Sequence, residues 1–182
     1  MKLGIYSRAS DFWKMSISTR KVFLVGLPGS GKTTLGMELA IHLQIPFIDL
    51  DQEIEKGSKQ QIPVIFKEHG EGFFRQLEFE TLRKVVPAHD KFVLATGGGT
   101  PCFFENMVYM NEMGTTVYLN TEVDQIKRRL QQDSVRPLMQ TNTIEGLHKE
   151  RKKWYEMAMH TIANREEGYR LFDKESGVFR SP

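Results

Sequence analysis

Residues 26–33 read Gly26-Leu27-Pro28-Gly29-Ser30-Gly31-Lys32-Thr33, which fits G-x-x-x-x-G-K-[ST]. They stand between a strand signal and a helix signal. Before them runs Lys21-Val22-Phe23-Leu24-Val25, and after them Leu35, Leu39 and Leu43 recur every four residues, one face of a helix of about three turns. In that setting the glycines let the backbone curl so that successive N–H groups point inward, and the helix offers its positive end to an anion. Lys32 would reach the outer phosphates of a nucleoside triphosphate, and the Thr33 hydroxyl would ligate Mg2+. Gly29, Ser30, Gly31, Lys32, Thr33 and Thr34 are the candidate nucleotide-binding residues. A glycine-rich turn with no ligand is the alternative, and the flanking strand and helix argue against it.

The same alternation continues. Strands are expected at Phe47–Leu50, Phe92–Ala95 and Thr116–Leu119. Helical stripes follow Phe74, Leu77, Leu82 and Val85, then Met107 to Met113, then Ile126 and Leu130, then Ile144, Leu147, Trp154, Tyr155 and Ala158, with short helical patches around Glu53 and Ile65. Strands separated by helix-length segments require right-handed crossovers, hence an α/β fold with a parallel sheet, helices on both faces, and ligands at the carboxyl ends of the strands. At 182 residues, 40% apolar and 26% charged, the chain suits one domain and not a disordered or collagen-like polymer.

A net charge of only +2 gives no overall field to attract nucleic acid or an acidic membrane. One cysteine, Cys102, allows no internal disulfide, and no apolar run approaches the roughly 18 residues of a membrane span. A cytoplasmic monomer without nucleic-acid or membrane partners is expected. Residues 1–20 are basic and serine-rich with Asp11 as their one acid, a composition similar to a transit peptide; the preferred reading is a poorly ordered N-terminal extension, or a start assigned one Met too early with Met15 just before the first strand. The domain is then expected to span 21–182.

Several polar residues sit where strand ends would gather them. Asp49 and Asp51 are two apart, so a continuing strand would aim them to opposite sides, one toward Mg2+ and the other toward an acceptor hydroxyl as base. Asp51 could equally cap the next helix. Arg75 falls in the first turns of a helix beginning near Glu71, where the macrodipole disfavours a cation; either Glu78 at i+3 pairs with it, or its fork meets a carboxylate or phosphate. Arg151 lies one turn after Leu147 and one before Tyr155, so it snorkels from the core or points into a pocket. Arg136, before Pro137, belongs to the polar segment 131–142, which is a lid if it borders the phosphate site and a solvated loop otherwise. Gly97, Gly98 and Gly99 end a strand at the ligand edge, where backbone N–H groups can be approached closely. Cys102 has no base beside it, and the histidines show no metal-ligand spacing.

Taken together, Gly26 to Thr33, Phe47-Ile48-Asp49-Leu50-Asp51, Ile65-Phe66, Gly70-Glu71, Phe74-Arg75 with Glu78, Gly97 to Gly99, Val135-Arg136-Pro137-Leu138, and Glu150-Arg151 with Tyr155 resemble the shikimate kinases in order and spacing over about residues 21–160. The resemblance implies a P-loop NTPase three-layer sandwich with a mobile lid, and phosphoryl transfer from ATP to the 3-hydroxyl of shikimate, with Mg2+. It implies Asp51 as base and ligand of the ring hydroxyls, Arg75 and Arg151 on the carboxylate, and Gly97, Gly98 and Gly99 lining the acceptor. It further implies Arg136 and Lys32 on the phosphates, Thr33 and Asp49 serving Mg2+, and Arg129 packing on adenine. A kinase with another acceptor, such as gluconate or a nucleotide, or a nucleotide-binding regulatory module, shares the cradle; the paired arginines favour a carboxylate acceptor. Two departures stand out. Lys152 and Lys153 replace a small residue and proline, and segment 164–182, with only Tyr169, Leu171, Phe172, Val178 and Phe179, shows no three-turn apolar stripe for the family's closing helix.

Overall fold

A computed structural model describes residues 21–132 and 144–176. The chain runs β1 (Lys21–Val25), α1 (Lys32–Leu43), β2 (Phe47–Asp49), α2 (Leu50–Ser58), α3 (Ile62–Ala88), β3 (Phe92–Ala95), a short 3-10 turn (Thr100–Cys102), α4 (Asn106–Met113), β4 (Thr115–Leu119), α5 (Val123–Gln132), α6 (Ile144–Tyr155), β5 (His160–Ile162) and α7 (Arg165–Ser176). The strands form one sheet in the order β2-β3-β1-β4-β5, and every pairing is parallel.

Period-two alternation divides the core between the two faces of that sheet. Val22, Leu24, Val93, Val117 and Leu119 turn to one side, where Leu35 and Leu39 of α1 and Phe172 of α7 cover them. Phe23, Val25, Phe92, Leu94 and Tyr118 turn to the other, against Ile54, Ile65, Leu82, Met107, Ile126 and Tyr155. The result is the three-layer α/β sandwich. Because all strands run one way, the segments after β1, β2, β3 and β4 emerge along a single edge.

Three features depart from sequence expectation. The helical patches expected around Glu53 and Ile65 are present as α2 and the start of α3, separated by residues 59–61, but the second runs on to Ala88 with its one break at Gly70, whose φ of 78° and ψ of 176° suit glycine alone; the helix resumes at Glu71. The strand β5 is three residues long, too short for an alternation to register, and exists because Val117 and Leu119 offer it a partner edge. The closing helix, expected to be missing, is present as α7. Its apolar share is narrow, so a hydrophobic count passes over it. Gly168 lets α7 approach Leu35 and Ile162, and polar ties supply the rest: Arg165 and the Tyr169 hydroxyl to Glu38, and His42 Nε2 to Asp173 Oδ1 at 2.8 Å. The 1–20 extension and all of the lid segment beyond its first two residues lie outside the described residues. No helix among the described residues is long and apolar enough to cross a membrane.

Phe172 is 3% exposed and anchors α7. Phe172→Ala is expected to lower the unfolding free energy by about 3 kcal/mol, read as the urea midpoint at unchanged slope. An unmoved midpoint would mean that α7 does not dock on α1.

Candidate active site

The loop between β1 and α1 wraps as its glycines allow. Gly29 and Gly31 have φ of 77° and 102°, left-handed values that place backbone without Cβ on the inner wall. Lys32 is 8% exposed and its Nζ donates to the carbonyls of Gly26 and Leu27 at 2.9 and 2.8 Å, closing the loop upon itself. The Ser30 hydroxyl is buried and has no hydrogen-bond partner among the described residues. An orphaned buried donor in a curled loop at a helix N-terminus fits a phosphate oxygen. Thr34 is exposed in the first turn of α1.

Strand β2 ends at Asp49, so Asp49 and Asp51 do not share a strand and strand alternation does not govern them. Asp49 is the residue that caps α2, its Oδ1 accepting from the N–H groups of Asp51 and Gln52 at 3.1 and 3.4 Å, while its Oδ2 accepts from Thr33 Oγ1 at 2.9 Å. The capping role considered for Asp51 therefore belongs to its neighbour. Asp51, in the first turn of α2, turns its carboxylate to the β3 edge, where a Cβ on Gly97 would stand 2.9 Å from its Oδ1.

Arg75 is 8% exposed. Its Nη1 donates to Glu78 at 2.6 Å, and its Nε and Nη2 donate to Glu71 at 3.1 and 2.8 Å. Both carboxylates sit at helical spacing, so the pairing weighed for Glu78 is real. Burial works against the charge on Arg75, but Glu78 and the hydrogen bonds to both glutamates outweigh it and raise the pKa. Among the described residues three of the five guanidinium donors are engaged, which leaves two for a ligand. Glu78 is itself 1% exposed and accepts from Thr100 Oγ1 at 2.5 Å.

The glycine turn serves the protein's own side chains first. A Cβ on Gly98 would stand 2.5 Å from Pro28 Cδ, and one on Gly99 would stand 2.6 Å from Arg75 Cζ. From the far side, Tyr155 of α6 donates its hydroxyl to the Gly98 carbonyl at 2.5 Å. Tyr155 stacks on Tyr118, and burial drives its phenol pKa well upward, so it remains a donor. Its hydroxyl also interacts with half-buried Arg151, which faces the turn rather than snorkelling away. Lys152 pairs with Glu156 at 3.4 Å and Lys153 lies over Trp154, so both departures point outward and leave Arg151 undisturbed.

The site residues named from sequence thus gather at one sheet edge, except Arg136, which lies outside the described residues. Arg129 reaches the loop itself, with Nη1 donating to the Ser30 carbonyl at 2.8 Å. Glu78, Thr100, Tyr155 and Pro28 were not singled out as site residues. The i−4 and i+3 acids around Arg75 were a usable signal; the contacts of Pro28 and Tyr155 with the turn appear only in three dimensions.

A family model described as shikimate kinase matches residues 28–174. The shikimate kinase of Bacteroides fragilis is 47% identical over 121 residues, spanning 66% of this chain and 67% of that protein. Among solved structures, shikimate kinase from Acinetobacter baumannii in complex with shikimate superposes with a TM-score of 0.80 at 33% identity, covering 90% of this chain and 97% of that one. Shikimate kinase from Bacteroides thetaiotaomicron does so with 0.76 at 33% identity, over 87% and 99%.

Cys102 follows the turn and feels both Arg75 and Arg151. Burial nevertheless pushes its thiol up to about 11. The raised value leaves about a hundredth of the thiolate an ordinary thiol would have at pH 8. Iodoacetamide should therefore alkylate the folded chain on the order of a hundredfold more slowly than the chain in guanidinium, with the folded rate still climbing between pH 9 and 11. Equal rates in the two states would contradict this burial.

Proposed function

The chain belongs to the shikimate kinase family, and from that premise we propose how its side chains divide the work of its reaction. That reaction is the ATP-dependent phosphorylation of the shikimate 3-hydroxyl, giving shikimate 3-phosphate and ADP, in aromatic amino acid biosynthesis.

Gly29 to Thr34 cradle the ATP phosphates, and Lys32 lends its charge to the transferring group, as a phosphoryl transition state requires positioning and cations above covalent chemistry. Arg136 adds a second cation from the lid. The Thr33 hydroxyl and the Asp49 carboxylate, 2.9 Å apart, are hard oxygen donors suited to Mg2+ and would hold it directly or through water. When bound, Mg2+ neutralises phosphate charge. Asp51 orients the acceptor hydroxyl and takes its proton. Arg75 and Arg151 grip the shikimate carboxylate, Arg75 with the two donors that Glu71 and Glu78 leave over. Gly97 to Gly99 form the floor beneath the ring.

One observation carries the assignment: the phosphate loop through Pro28, Asp51 and Arg75 all meet the same glycine turn. We take a monomer as the working unit. The lone cysteine suits the reducing cytoplasm.

ADP release from MgATP should be strongly stimulated by shikimate and by neither gluconate nor nucleoside monophosphates. Stimulation by another acceptor alone would displace shikimate. Asp51→Asn should lower turnover by about a thousandfold while ATP affinity stays within about twofold. A fall in ATP affinity matching the fall in rate would remove Asp51 from the role of base.

A further inference from the structure

Thr121 stands just past the end of β4 and has no part in the chemistry above. It is 5% exposed, and its Oγ1 donates to the carbonyl oxygen of Ser30 at 2.9 Å, across 91 residues of chain. Arg129 Nη1, from α5, donates to the same oxygen at 2.8 Å. The Ser30 N–H is turned back to Leu27 O at 3.2 Å. Residue 30 is therefore tied at its carbonyl from outside the loop and at its amide from within.

A trans peptide points the carbonyl of one residue and the N–H of the next in opposite directions, and no cis bond occurs among the described residues. Holding the Ser30 carbonyl toward the β4–α5 segment aims the Gly31 N–H the other way, to the concave side of the loop. Gly31, at φ 102° and ψ 17°, has no side chain to resist rotation of that peptide. Something else must set it. We propose that Thr121 is a positioning residue of the nucleotide site, locking the Ser30–Gly31 peptide so that Gly31 N–H faces a nucleotide phosphate. Arg129 shares the task. Arg129 is also the residue that the resemblance implies packs on adenine, whereas buried Thr121 has no such second role.

The inference rests on the loop being the nucleotide site, so ADP binding to the wild-type chain is measured first; no binding would overturn that premise without any variant. Thr121→Val keeps shape and burial but cannot donate. Its KM for MgATP and Kd for ADP should rise about fivefold, with the KM for shikimate held within about twofold. Thr121→Ser, which retains the hydroxyl, should bring both nucleotide constants back. Nucleotide constants unchanged in Thr121→Val, a shikimate KM rising by the same factor, or no recovery in Thr121→Ser would each overturn the proposal. If Thr121→Val does not fold, Thr121→Ala carries the same expectation, with thermal melting run beside it.

Discussion

The absence of side chains at Gly97, Gly98 and Gly99 is the constraint on which the other parts of the site depend. Their φ values are not left-handed, so conformational need does not explain three glycines in succession. Close approach does. Glu78, Pro28 and the Arg75 guanidinium each occupy the space a Cβ would take, and backbone is the least mobile surface on which to rest them. The glycines expected to open a path for ligand atoms have as their first effect the seating of the protein's own side chains, Arg75 and Asp51 of the proposed site among them. The two uses are compatible, because a floor of backbone atoms still leaves its upper face to the acceptor.

Arg75 and Glu78 illustrate what such seating costs and provides. Burying two charges costs several kcal/mol per ion unless each is paired and hydrogen-bonded. Here Glu78 accepts from both Arg75 and Thr100. The chain of polar contacts continues: Asn106, fully buried, donates to the Thr100 carbonyl at 3.0 Å and accepts from Arg83 at 2.6 Å. Arg83 is in turn held over the rings of Phe79 and Tyr109. A buried pair of this type contributes little net stability; its value is that the Arg75 fork is already oriented before a carboxylate arrives, so that binding energy is not spent on ordering it.

Much of this was legible in the sequence, and the limits have physical causes. Gly26 to Thr33 announced themselves because the loop's job is local: backbone curl and helix start lie within eight consecutive residues. Strands β1, β3 and β4 are buried on both faces and therefore read as continuous apolar runs. The strand β5 and helix α7 did not, since one is a three-residue edge and the other docks through Glu38, Asp173 and a single fully buried aromatic. Asp49 and Asp51 were recognised as a pair, but their division of labour depended on where β2 stops, and a strand end is the feature periodicity defines least well. Tyr155 looked like core because it is core; its hydroxyl reaches Gly98 only after α6 folds back on the turn.

The contact between Pro28 and Gly98 joins the two halves of the reaction. Pro28 belongs to the loop proposed to hold the phosphoryl donor, and Gly98 to the turn proposed to floor the acceptor. In-line transfer tolerates little error in the separation of donor and acceptor, and misplacement of about an ångström costs on the order of a hundredfold in rate. A separation set through long side chains would drift with their rotamers. Here it is set by a rigid pyrrolidine ring against a residue without a side chain, each at the end of adjacent, register-locked strands β1 and β3. The glycine at position 98 and the proline at position 28 are thus one device: no left-handed φ calls for glycine at 98, whereas its contact with Pro28 would fix the distance between the two proposed ligand sites.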